Sequence, residues 1–339
     1  MNNVESTIKC VNGLCEHAEH KVNNTMKKLI AFAVMALVVT NAHAVDPNLP
    51  SYKKVSGVSG TLNSVGSDTL NNMMALWAES FQALYPNVKI QIEGKGSSTA
   101  PPALIEGASQ VGPMSRTMKS TEVDAFEKKH GYKPASIGSS IDALAVFVHK
   151  DNPIEGMTLQ QVDNAFSSTF KRGGKAAKTW GDLGLTGDWA SKAISLYGRN
   201  SASGTYGVFK KVALSSGDYS SSVKEQPGSS AVVQGTGSDL GGLGYSGYGY
   251  KTSAVRAVAL DGPDGKFYEP TAANALAGKY PLGRVLYIYY NHKPGTKMDV
   301  TTREFLKFIL SKEGQEIVEK DGYFSLNAAG ASKFLSQLK

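Results

Sequence analysis

From about residue 58 onward the chain switches repeatedly between two hydrophobic periods. Apolar residues at every second position read as strands, and apolar residues three and four apart read as helices. Val58–Val65 reads as a strand ending in Gly66-Ser67-Asp68-Thr69. Leu70, Met73, Met74, Trp77, Phe81 and Leu84 then keep helical spacing up to Pro86-Asn87. Val88-Lys89-Ile90-Gln91-Ile92 alternates as a strand, and Gly94–Thr99 turns into a short helix over 103–108. Val111–Arg116 reads as a loop and 143–149 as a buried strand. A second region from about residue 150 repeats the scheme, with helix 159–166, strand 194–197, helix 206–214 and strands 255–260 and 285–290. Helical segments at 301–310, 313–320 and 328–338 close the chain. This alternation predicts an α/β fold on mostly parallel sheets, built twice. With 339 residues and 41% hydrophobic content the chain has enough apolar material for two real cores.

A different segment precedes the alternation. Met26-Lys27-Lys28 is basic, Leu29–Val39 is an uncharged apolar run, and Asn41-Ala42-His43-Ala44 places small residues at the minus-three and minus-one positions. That is the layout of a secretory signal peptide, with cleavage expected after Ala44. The run of about 11 residues is too short for a membrane span, which needs about 20. Residues 1–25 are polar and precede a complete signal, so they read as an upstream segment with Met26 as the true start. An unusually long n-region starting at Met1 is the alternative. The mature chain would be exported, with a Gram-negative periplasm the simplest destination.

Trimming changes the charge and the cysteine chemistry. The full chain carries 36 basic and 29 acidic residues, a net of +7. Residues 1–44 hold four of the basic and three of the acidic ones, which leaves +6. Cys10 and Cys15 are both removed, so no disulfide framework is available. Basic residues are scattered, and the densest group (Lys171, Arg172, Lys175, Lys178) reads as a solvated loop without a nucleic-acid motif. His130, His149 and His292 are far apart and form no metal-spaced cluster. No metal, cofactor or nucleic-acid partner is expected.

Three strand-to-helix turns share one composition of Gly and small hydroxyl residues: Gly66–Thr69, Gly96–Thr99 and Ser203–Thr205. The first N–H groups of a helix lack internal partners, and the helix dipole favours an anion there. Each turn alone is also what ordinary N-capping looks like. Three of them, with Arg116 and Arg199 beside similar loops, point to an oxyanion site, because a guanidinium fork matches tetrahedral oxyanions. Several charge-assisted bonds of about 1.5–3 kcal/mol each can reach the roughly −8 kcal/mol of a micromolar site.

These residues resemble the periplasmic phosphate-binding proteins of Pst-type ABC importers, over residues 57–339. Arg199-Asn200-Ser201-Ala202-Ser203-Gly204-Thr205 matches that family's R-x3-S-G-T motif. Gly96-Ser97-Ser98 is similar to its G-S-S/G turn, and Asp68-Thr69-Leu70 to its first phosphate loop. The resemblance implies Asp68, Thr69, the Leu70 N–H, Ser97, Ser115, Arg116, Asp142, Arg199, Ser203, Gly204 and Thr205 as phosphate-binding residues. Gly244–Gly247, Tyr280–Arg284 and Leu310–Gln315 also look familial and read as architectural.

One departure matters. Some members carry Ala-Ser-Asp after the second helix, the Asp accepting the phosphate proton, whereas this chain reads Gly112-Pro113-Met114-Ser115-Arg116. Asp142 or Asp68 could supply the missing acceptor, and Asp142 is favoured because it precedes the presumed crossover.

The resemblance implies a type II periplasmic-binding-protein fold, two α/β lobes joined by two crossover strands. Lobe I is expected over 50–142 plus 291–339, lobe II over 151–280, and the crossovers over 143–150 and 281–290. The implied function is capture of inorganic phosphate by lobe closure and delivery to inner-membrane ABC permease subunits, by a monomer without catalysis. A secreted phosphatase of the same fold, or a binder of sulfate or another oxyanion, is the alternative.

Overall fold

The computed structural model describes residues 45–338. The expected signal peptide and cleavage site, the choice of start and both cysteines lie outside the described residues.

Two five-stranded sheets organise the chain. The first has the order β2-β1-β3-β13-β4, with β1 (Gly60–Gly66), β2 (Val88–Gly94), β3 (Val111–Met114), β4 (Ala135–Ala143) and the late strand β13 (Gly283–Tyr290). The second has the order β10-β5-β9-β7-β8, with β5 (Ala145–His149), β7 (Ser195–Arg199), β8 (Lys224–Gln226), β9 (Gly242–Ser246) and β10 (Val255–Ala257). A small sheet joins β6 (Gly156–Met157), β11 (Ala259–Asp261) and β12 (Phe267–Tyr268). The helices in chain order are α1 (Asn71–Leu84), α2 (Ala100–Ile105), α3 (Ser120–His130), α4 (Leu159–Phe166), α5 (Gly204–Val212), α6 (Ser229–Ser238), α7 (Ala272–Leu276), α8 (Val300–Ile309), α9 (Lys312–Lys320) and α10 (Ala328–Leu335).

The expected α/β alternation is present, but the sheets are mixed. β13 runs antiparallel between β3 and β4, and β5 runs antiparallel to both β9 and β10. β3, expected as part of a loop, is a four-residue strand that is buried throughout. β4 had no sequence signal, because Ala135–Ala143 is rich in small polar residues, yet most of it is buried. The run 255–260 breaks at Val258, and its halves join different sheets.

The chain crosses between the two large sheets near the expected segments. The chain passes from the first sheet to the second at Leu144, between β4 and β5. It returns before Gly283, because all of β13 lies in the first sheet. Segments 145–149 and 283–290 are sheet strands. An apolar run has the same signature whether it spans a hinge or fills a sheet.

The helix α1 shows how the lobe I core forms. Met73, Met74, Trp77 and Phe81 are each fully buried, and the Trp77 Nε1–H donates to the Gly314 carbonyl at 2.8 Å. Phe81 meets Phe305 edge-on with ring centroids 5.3 Å apart, which ties α1 to α8. Just beyond α9, burial pushes the Asp321 carboxyl up to about 6, partly opposed by a hydrogen bond from Asn72. A carboxyl raised above its unfolded value costs stability above the folded pKa and costs nothing below the unfolded one. Asp321→Asn is therefore expected to raise the thermal midpoint at pH 7, and the gain should vanish as pH falls from 6 towards 4. A gain that does not change with pH would mean that the carboxylate's charge is not its source.

Candidate functional site

Parallel pairing puts the lobe I loops at one edge. β1 and β2 pair in register from Gly60–Val88 to Gly66–Gly94, so their carboxyl ends are level. The chain leaves β1 through Ser67–Leu70, β2 through Gly96–Thr99 and β3 through Ser115. Ligands in open α/β sheets bind outside such carboxyl ends. Thr69, Ser97 and Ser115 are all buried there, at 1%, 0% and 0% exposure. Ser97 Oγ accepts the Ser115 N–H at 3.0 Å and lies 3.2 Å from Ser115 Oγ.

Lobe II presents the end of β7 and the start of α5. Ser203 is the N-cap of α5, and its Oγ accepts the Thr205 and Tyr206 N–H groups at 3.1 and 3.4 Å. The capping role and an anion role are compatible, since the hydroxyl proton remains to be donated. Thr69, by contrast, caps nothing: the short helical turn Asp68–Leu70 has no side-chain cap.

The two lobes meet directly at these loops. Thr69 Oγ1 and Thr205 Oγ1 are 2.9 Å apart, and the Ser98 N–H donates to the Ala202 carbonyl at 3.1 Å. Gly96 has φ +117, a conformation that strongly favours glycine. Gly204 sits so close to Ser97 and Ser115 that a β-carbon there would clash with both hydroxyls.

Two guanidinium–carboxylate pairs flank the hydroxyls: the first joins the two lobes, and the second lies within the first sheet and reaches lobe II through Tyr248 and Thr205. Arg199 (1% exposed) brings Nη1 to 3.0 Å from Asp68 Oδ2. Nη1 also donates to Ser229 Oγ and Nη2 to the Pro227 carbonyl, while the buried Nε has no protein partner. Asp68 Oδ2 in turn accepts the Ser229 N–H and hydroxyl, each at 2.8 Å, so a lobe I carboxylate sits at the first turn of α6. Burial pulls the Arg199 guanidinium below its ordinary pKa, and the Asp68 carboxylate pulls the other way. In the second pair, Arg284 donates Nε and Nη2 to Asp142 Oδ2 at 2.9 and 2.7 Å. Asp142 is fully buried, and its Oδ1 accepts the Tyr248 N–H at 3.0 Å from lobe II. Two guanidinium donors converge on Asp142 Oδ2, and these charge-assisted bonds offset part of the cost of burying each charge.

The PBP superfamily domain matches residues 53–313. The chain is 55% identical to the phosphate-binding protein PstS of Pseudomonas aeruginosa over 320 residues, 94% of this chain and 99% of that one. The chain belongs to the PstS family of phosphate-binding proteins. Its fold is similar to that of a Clostridium perfringens protein described as a phosphate ABC transporter substrate-binding protein, solved with bound phosphate. That likeness has a TM-score of 0.67 and 26% identity, covering 79% of this chain and all of the other. A Planctomyces limnophilus structure described as that of a possible phosphate binding protein gives a TM-score of 0.59 at 27% identity, over 83% of this chain and 98% of the other.

Within this PstS-family fold most of the expected residues converge. Thr69, Ser97, Ser115, Ser203, Gly204 and Thr205 line the contact between lobes, with Asp68–Arg199 and Asp142 beside them. Two of the expected residues have other partners here. Arg116 gives its fork to Glu122 at 2.7 and 2.7 Å, and also bonds Ser98 Oγ and the Thr117 carbonyl. Although burial acts to raise it, the Glu122 carboxyl is held below its usual range by Arg116 and the Lys119 N–H. Arg116 thus buttresses the loop from outside, because Glu122 sits in the first turn of α3 where it also completes a cap. The Leu70 N–H is spent on the Ser67 carbonyl at 3.3 Å, and its side chain is in the core.

The guanidinium that sequence reasoning missed is Arg284, read as architectural with its neighbours. A hint was present: like Asp142, it borders an apolar strand.

Proposed function

We propose that the chain holds one inorganic phosphate ion between the two lobes in the periplasm and delivers it, as a monomer and without catalysis, to an inner-membrane ABC permease. The observation that carries this reading is the convergence of hydroxyls from both lobes between two guanidinium–carboxylate pairs, one fully and one partly buried. Thr69, Ser97 and Ser115 supply donors from lobe I, and Ser203, the Gly204 N–H and Thr205 supply them from lobe II. Arg199 supplies the charge through its unpartnered Nε. Asp142 accepts the proton of hydrogen phosphate. A sulfate ion has no such proton, and leaving a buried carboxylate unpaired against an oxyanion is how such a site rejects a near-isostere. The closed form then presents a surface spanning both lobes to the permease.

Titration calorimetry with phosphate, arsenate and sulfate tests the reading. Phosphate should bind at micromolar affinity or tighter and sulfate at least about a thousandfold more weakly. Asp142→Asn should weaken phosphate binding about tenfold or more and narrow the phosphate–sulfate gap, since an amide can donate to sulfate. Tight sulfate binding by the unaltered protein would overturn the ligand assignment. Unchanged selectivity in Asp142→Asn would move the acceptor role to Asp68.

A further inference from the structure

We infer that Arg284 is a positioning residue of the phosphate site: it makes the buried Thr205 hydroxyl an acceptor on its guanidinium side, so the Thr69–Thr205 pair keeps a proton for the anion. The inference rests on the phosphate reading above and adds a residue to it. Arg284 Nη2 lies 2.9 Å from Thr205 Oγ1, and a guanidinium has donors only, so Thr205 must accept there. The Thr205 proton cannot return to Arg284. Thr69 Oγ1, 2.9 Å from Thr205 Oγ1, is the other hydroxyl in contact. The pair carries two hydroxyl protons, and its mutual hydrogen bond takes one of them. Whichever threonine donates in that bond, one hydroxyl proton remains for a third partner. Both threonines are buried, at 1% and 0% exposure, so that partner is the enclosed anion rather than bulk water. Without the guanidinium, Thr205 could rotate and present lone pairs to the anion, which repels.

The same planar group sets the rest of the geometry. Nε and Nη2 hold Asp142 Oδ2, and Nη1 donates to the Ser115 carbonyl at 3.1 Å. One side chain, only 6% exposed, thereby joins the Asp142 carboxylate, the Ser115 loop and a lobe II hydroxyl. A lysine keeps the charge but not the fork, so it cannot serve all three at once.

The test is phosphate calorimetry on the unaltered protein, Arg284→Lys, Thr205→Val, Thr205→Ser and the Arg284→Lys/Thr205→Val double variant, with thermal midpoints recorded for each. Arg284→Lys and Thr205→Val should each bind at least tenfold more weakly. Thr205→Ser, which keeps the hydroxyl, should stay within about threefold of the unaltered protein. The double variant should lose little beyond the weaker single one, because both changes break one relay. Losses that multiply, or Arg284→Lys binding unchanged, would overturn the inference. If Arg284→Lys does not fold, the threonine pair decides alone: equal affinity of Thr205→Val and Thr205→Ser rejects the hydroxyl relay. An unaltered protein that binds no phosphate would instead reject the reading on which the inference rests.

Discussion

Gly204→Ala should abolish useful phosphate binding while leaving each lobe folded. The added β-carbon would lie 2.4 Å from Ser97 Oγ and 2.6 Å from Ser115 Oγ, both in the opposite lobe. Neither hydroxyl can retreat freely, because Ser97 Oγ also accepts the Ser115 N–H at 3.0 Å. Overpacking of this kind costs about 1–3 kcal/mol, and holding the lobes apart also costs the hydrogen bonds made only on closure. Together these should weaken phosphate binding at least ~100-fold. Gly204 opens α5 without left-handed backbone, and alanine is the better helix former, so the thermal midpoint without phosphate should not fall. Calorimetry and phosphate-dependent compaction in small-angle scattering check this. A variant that binds and compacts like the unaltered protein would show that the lobes do not approach this closely around the ion.

Arg199→Ala should be nearly as damaging, for an electrostatic reason. It removes the buried cation 3.0 Å from Asp68 and leaves that carboxylate facing the anion. The loss combines a charge-assisted bond of about 1.5–3 kcal/mol with new like-charge repulsion, so a ~100-fold or greater loss of affinity is expected. Added salt should not rescue it, because a buried pair is poorly screened. Arg199→Lys should recover part of the loss, since the charge returns without the fork. An Arg199→Ala protein with undiminished phosphate affinity would remove the central cation from the proposed site.

Both effects depend on residues that the chain keeps far apart. Ser203-Gly204-Thr205 was legible because its chemistry is local: a cap residue, a glycine and a hydroxyl at the start of one helix. The same holds for Ser97 behind Gly96. Arg116 adjoins Ser115 in sequence, yet its charge partner Glu122, six residues on, takes up its guanidinium. Arg284 was missed because 142 positions separate it from Asp142. Only the antiparallel return of β13 beside β4, with Arg284 opposite Asp142, makes them neighbours.

The sequence by itself determined the α/β class, the Gly- and hydroxyl-rich turns, and the family motif from Arg199 to Thr205. These follow from hydrophobic period and helix-end chemistry, which act within a few residues. The tertiary structure alone decided which carboxylate meets which guanidinium and how closely Gly204 approaches Ser97 and Ser115. Those depend on strand register and on packing between distant segments. In a mixed sheet, where one strand returns antiparallel, the period of the sequence carries no record of that pairing.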